Sequence, residues 1–222
     1  MRCSGRPARR LVIASAGAAL AVVAVLTLAP PLALAATETY KIDAEHTNIG
    51  FKVSHLVFSK VSGRFNKFEG AIVLDPADLT KGLVNVTIDA ASIDTNEPAR
   101  DKHLRSEAFF DVEKYPKISF QSTRVRKVGE KKLLIDGDLT MHGITKPATL
   151  DVDVLGFGPD GYGPYRAGFE ARTRINRQDF DVSWNDIVEG GGLMVGDDVD
   201  IILSVEAIRQ KQPQPAEEKK GR

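Results

Sequence analysis

A single cysteine, Cys3, stands in a chain of 222 residues. It lies at the extreme amino end, so no disulfide braces the remainder and the core must hold the fold unaided. Charge of one sign is lacking too, with 30 basic residues against 30 acidic ones. Nucleic-acid binders carry a basic patch or stripe, and none is present here, so no nucleic-acid partner is expected. There is no G-x-S-x-G elbow, and Ser106 beside Arg105 has no base at a recognisable spacing. No glycine-rich phosphate loop precedes a helical stretch, because Gly156, Gly158, Gly161 and Gly163 fall between strand-like segments. Paired acids do occur, at Asp197-Asp198 and at Asp151 and Asp153, but in a turn or on the polar parity of a strand, where acids serve solubility. No catalytic residue is assigned, and the chain is expected not to be an enzyme.

Metal-ligand spacing is also missing. The four histidines are His46, His55, His103 and His142. On one uninterrupted strand the odd separation of the first two would point them to opposite faces. His103 falls in a helical stretch and His142 in the turn "MHGITKP", so no close-spaced motif forms and no metal or other cofactor is expected.

What is present begins with the first 36 residues. Arg2, Arg6, Arg9 and Arg10 come without an acid, Leu11 to Ala29 runs apolar, and Ala33-Leu34-Ala35 follows Pro30-Pro31. This is the pattern of an export signal, with cleavage near Ala35 or Ala36, which places the domain in the periplasm or outside the cell. The apolar run also has the length of a membrane span, about 17 to 25 residues, so an uncleaved anchor is the alternative. The Arg9-Arg10 pair leaves both the general secretory and the twin-arginine route open. Cleavage removes four arginines, and 30 minus 4 leaves 26 basic residues against 30 acidic, a mildly acidic domain. Residues 37–209 suffice for one domain with a sizeable core. Residues 210–222, "QKQPQPAEEKKGR", lack apolar periodicity and are expected to be a disordered polar tail.

Between these ends the chain alternates. Ile49, Phe51 and Val53 share one parity; so do Phe68, Ile72 and Leu74, then Val84, Val86 and Ile88, and then Ile118 and Phe120. The same holds for Leu133, Ile135, Leu139 and Met141, for Leu150, Val152 and Val154, for Ala167, Phe169, Ala171 and Ile175, and for Val199 to Ala207. About eight strands with one apolar face follow, an all-β domain. A sandwich and a barrel both satisfy the pattern, and strands as long as Arg166 to Arg177 favour a closed, tilted barrel. Phe65 and Phe68 break the two-residue period, which predicts a bulge or bend between them.

One stretch departs from alternation: "NEPARDKHLRSEAFFD", Asn96 to Asp111. Asn96 as cap, Pro98 in the first turn and Glu97 and Asp101 near the start predict a short helix from Glu97 to Arg105. The following "EAFFD" predicts a turn that drives Phe109 or Phe110 into the core.

Five segments together resemble the YceI-like polyisoprenoid-binding proteins: "YKIDAEHTNIGFKVSHL", "VSGRFNKFEGAI", "IDTNEPARDKHLRSEAFFDVEKYPKISFQS", "GDLTMHGITKP" and "INRQDFDVSW". The resemblance covers Tyr40 to Arg209, and Asp181 stands where glycine is expected. It implies an extended antiparallel eight-stranded lipocalin-like barrel with short helical insertions around a long apolar cavity. It further implies a bound long-chain isoprenoid or fatty amphiphile, quinone-like ligands included. Transient membrane contact and a homodimer are left open. On this resemblance the tail would meet Phe51, Val53, Phe65, Phe68, Ile118, Phe120, Ile135, Phe169, Ile201 and Leu203. The head group would meet the donors of Arg100, His103 and Arg105, or of Asn176 and Arg177.

Overall fold

The computed structural model describes residues 37–56, 58–187 and 193–211. The expected export signal and residues 212–222 of the expected tail lie outside these. In chain order the strands are β1 (Glu38–Ile42), β2 (Asn48–His55), β3 (Ser59–Phe65), β4 (Phe68–Leu74), β5 (Leu83–Asp89) and β6 (Ile93–Asp94). One α-helix, α1 (Pro98–Arg105), precedes β7 (Lys117–Lys127), β8 (Lys132–Met141), β9 (Ile144–Pro159), β10 (Tyr165–Asn176) and β11 (Val195–Arg209). Neighbouring strands pair antiparallel, and the sheet closes because β11 pairs with β1 as well as with β2 and β10.

Eleven segments make eight strands. Along one edge of β11, Ala207 to Arg209 pair with β1 and Val195 to Ser204 pair with β2, so β1 and β2 are halves of one bent strand. β3 with β4, and β5 with β6, are bent in the same way, and the ring is the expected eight-stranded barrel. Its bends are where the period slips. Lys41 pairs with Ala71 and Ile49 with Phe65, so eight steps on the first strand match six on the second. The predicted break between Phe65 and Phe68 is the bend at Asn66 and Lys67.

The later strands run unbroken. β9 has 16 residues and β11 has 15, so at roughly 3.3 Å per residue β11 spans about 50 Å. Their inward parity fills two clusters. One, around Tyr40, Leu74, Val125, Leu133, Val152 and Phe169, occupies the barrel's body. The other, around Phe109, Ile118, Met141, Phe180 and Val182, lies where α1 and the chain after β10 pack, with Trp184 against it.

The helix starts one residue later than expected. Glu97, not Asn96, is the cap, its carboxylate accepting from the Ala99 amide at 3.2 Å. Asn96 instead takes a left-handed φ of 62°, which short polar side chains tolerate. Phe109, in the turn after α1, is buried, and Phe110 packs on Phe65 with ring centroids 6.0 Å apart. Asp181 has φ 57° and ψ 22°, closing a 3-10 turn over Arg177–Phe180. That left-handed geometry suits glycine best and aspartate better than most other residues.

On the outer face, Asp136 ties three strands together. Arg126 donates to its two carboxylate oxygens at 2.8 and 2.7 Å, and the Thr149 hydroxyl donates at 2.8 Å. The Arg126 guanidinium, and then Thr149, hold the Asp136 pKa down at about 2, against 3.8 ordinarily. A carboxyl depressed on folding contributes stability above its unfolded pKa and loses it as pH falls through the folded value. Asp136→Asn is therefore expected to flatten the fall in melting temperature between about pH 4 and pH 2, measured by circular dichroism at matched ionic strength. An unchanged slope would place the acid sensitivity in other carboxylates.

Candidate functional site

Inside the barrel lies a cavity of about 180 Å³. Thirty residues line it, from Leu79, Val125 and Val152 at one end to Phe51, Phe65 and Ile201 near the other. The lining side chains are apolar except for the hydroxyls of Thr47 and Thr173. No titratable side chain is among them. Room for the large residues comes from glycine across the sheet: a Cβ on Gly137 would fall 2.5 Å from Phe120 Cζ. Any larger residue there must displace that ring.

Eight of the ten residues expected to meet a tail line the cavity: Phe51, Phe65, Ile118, Phe120, Ile135, Phe169, Ile201 and Leu203. Val53 and Phe68 do not. Val53 lies closer to the strand end, paired with Val61 and Val199, and Phe68 packs into the body cluster. The parity of the alternation already marked most of the other lining residues, such as Ile72, Val86 and Ala171. Thr47 in a bend, Leu79 in a 3-10 turn and Thr173 as a polar residue on the inward parity carried no such signal.

The five residues expected at a head group are elsewhere, and none lines the cavity. Arg100 donates to the Thr95 hydroxyl at 2.7 Å and the Thr95 carbonyl at 2.9 Å. Arg105 donates to the carbonyls of Ala91 and Ile93 at 2.7 and 2.6 Å. Between them they fasten α1 to the edge of β6 where no further strand follows. His103 stands edge-on between Phe109 and Trp184, with ring centroids 5.1 and 4.9 Å away. Asn176 caps the 3-10 turn by accepting from the Gln178 amide at 2.9 Å.

Arg177 is buried, with 4% exposure. Its guanidinium donates to the carbonyls of Gly196, Val182, Trp184 and Val195 and to Asp197. Burial draws its pKa below the usual guanidinium value and Asp197 opposes that. The donors are spent on the protein, which makes Arg177 a clamp on the chain leaving β10. The donors are legible in the sequence, but their partners lie up to 20 positions away.

Among the described residues, one His and acid group is close enough to hold an ion: Asp43, His46 and Glu206. Arg166 already fills that place, its Nη1 lying 2.6 Å from both Asp43 and Glu206 while its Nε meets Asp160 at 2.7 Å. The hydrogen bond from His46 lowers the Asp43 pKa, and Asp43 raises that of His46. His142 reaches the Phe180 carbonyl at 3.2 Å and packs on Tyr115, and His55 pairs with Ser59 and Val195 on the strand ladder.

Residues 40–207 match the YceI-like domain. The chain belongs to the YceI-like family. Protein YceI of Escherichia coli O157:H7 is 43% identical over 174 residues, which are 78% of this chain and 87% of that protein. The crystal structure of Burkholderia cenocepacia BcnA superposes with a TM-score of 0.65 at 25% identity, covering 74% of this chain and 98% of that one. A domain of Saccharophagus degradans, described as polyisoprenoid-binding and implicated in plant cell wall breakdown, shares the fold at a TM-score of 0.55 and 17% identity. It covers 77% of this chain and 98% of its own. The barrel is thus shared by solved structures that differ widely from this chain in sequence.

Proposed function

We propose that this YceI-like protein is exported and binds, without catalysis, the tail of a long-chain isoprenoid or similar amphiphile in its barrel. The role would be carriage, storage or sequestration. The observation that carries this reading is the cavity lining, apolar throughout but for two threonine hydroxyls. The description of the Saccharophagus neighbour as a polyisoprenoid-binding domain supports the same ligand class.

Burying one five-carbon isoprene unit releases roughly 2 to 4 kcal/mol gross, at about 0.8 per methylene. Ordering a flexible chain takes back part of it. Affinity would therefore come from the tail. Turnover would need a reacting group beside that tail, and the lining offers no acid, base or thiol.

Protein purified without detergent from its native envelope should release a long-chain lipid on organic extraction, identified by mass spectrometry. Absence of lipid from repeated preparations, together with failure of the purified chain to take up prenyl alcohol from vesicles, would overturn the reading.

A further inference from the structure

The barrel wall is incomplete beside β3. One edge of β3 pairs with β2 along its whole length, from Ser59 to Phe65. The other pairs with β6 only at Arg64 and Phe65. From Ser59 to Gly63 that second edge has no ladder partner among the described residues. The chain after β6 turns away into α1 instead of continuing the sheet.

At the point where the ladder ends, Gly63 faces Thr95. A Cβ on Gly63 would fall 2.9 Å from Thr95 Cγ2 and 2.3 Å from Phe51 Cζ. The space a side chain on Gly63 would take is filled instead by the Phe51 ring, which belongs to the cavity lining, and by the Thr95 methyl. Outside lies a recess of about 360 Å³ with Gly63 in its wall, lined otherwise by Asn48, Ser62, Arg64, Asp94, Thr95 and Asn96. Gly63 in the recess wall thus lies against Phe51 in the cavity lining, and only these two residues stand between the polar and the apolar space along that line.

The two sides of the gap differ in stiffness. Thr95 is fixed: its amide and hydroxyl donate to buried Asp101 at 2.9 and 2.6 Å, and Arg100 holds its hydroxyl and carbonyl from the other side. The Phe51 ring has an aromatic neighbour at 5.9 Å, Phe65, and needs only a side-chain rotation to clear Gly63. Charge in the recess balances, since Arg64 lies 3.3 Å from Asp94 and the remaining polar groups are neutral. A diphosphate would sit beside the Asp94 carboxylate, whereas a carbonyl or hydroxyl would meet amide and hydroxyl partners.

Building on the lipid-binding reading, we propose that this gap is the lateral portal of the cavity, with Phe51 as its gate. The recess receives an uncharged, hydrogen-bonding head group such as a prenyl quinone or prenyl alcohol.

The test offers prenyl alcohol, quinone and diphosphate of equal tail length from phosphatidylcholine vesicles to the full chain, following loading and release. Phe51→Ala should raise both rates about tenfold, whereas loss of a mere wall contact raises release alone. Gly63→Val added to Phe51→Ala, where the ring it would displace is gone, should slow both again, with folding checked by circular dichroism. Alcohol and quinone should bind about tenfold tighter than diphosphate, and Asp94→Asn should narrow that difference. Unchanged loading in folded Phe51→Ala would overturn the portal, and tighter binding of the diphosphate would overturn the head-group class. Either failure leaves lipid binding standing; only a wild-type chain that takes up none of the three sinks both readings.

Discussion

Arg177→Ala is expected to cost about 3 to 5 kcal/mol of folding stability, the range for removing one partner from a buried charged network. The side chain is 4% exposed and its guanidinium serves four carbonyls and Asp197. Alanine fills little of the space and leaves those carbonyls to water or to nothing, at roughly 1 to 3 kcal/mol for each that stays dry. Asp197 is itself 40% exposed and regains solvent, so most of the loss falls on the backbone acceptors. Arg177→Lys keeps the charge but not the planar fork, and should fall between alanine and wild type. Urea unfolding with an unchanged slope would measure the difference. A loss below about 1 kcal/mol would mean that water replaces the guanidinium at little cost.

The consequence reaches beyond stability. Val182 and Trp184, whose carbonyls Arg177 holds, pack into the cluster with Phe109 that fills the barrel where α1 lies. Trp184 is the sole tryptophan, with its ring 5.1 Å from that of Phe109. Its fluorescence should therefore shift in Arg177→Ala under conditions where the barrel is still folded.

Ala171→Phe should separate ligand binding from folding. Ala171 lines the cavity from the middle of β10, opposite Val152 and Leu203. The larger side chain adds six carbons where an isoprenoid tail would lie. Displacing three to five methylene-sized groups, at about 0.8 kcal/mol each, lowers lipid affinity by at least about fifty-fold. In a well-packed core the same insertion costs about 1 to 3 kcal/mol. Here it enters empty space, so the melting temperature should hold or rise while binding of prenyl alcohol is lost. A fall in melting temperature with lipid uptake retained would show that the interior has no room at that level.

How much of this was legible in the sequence differs from residue to residue. Period-two alternation is a property of the strand itself, so inward residues such as Ile135, Phe169 and Leu203 could be named without coordinates. The eight-strand count followed from the same pattern. Phe68 falls outside the cavity lining because the bend at Asn66 and Lys67 separates its surroundings from those of Phe65, and parity says nothing about how far along the barrel a cavity reaches. The helix in "NEPARDKHLRSEAFFD" was visible from its proline and acids, but its cap was placed one residue early because Asn96 turned into the left-handed region.

The basic residues show the limit most clearly. Arg100, Arg105 and Arg177 were recognisable as donors, and a donor in a lipid-binding barrel invites a head group. Apart from the Thr95 hydroxyl and Asp197, their partners in the structure are backbone carbonyls near the ends of sheet pairing, and such carbonyls leave no mark in a sequence.

Alone, the sequence determined the class of fold, the apolar inner face and membership of the family, because each is carried by local periodicity or by ordered motifs. The tertiary structure decided which inward residues border empty space, which arginines are clamps, and where the wall beside Gly63 is left unpaired. Those depend on how strands close into a ring, and closure brings together residues that no local pattern connects.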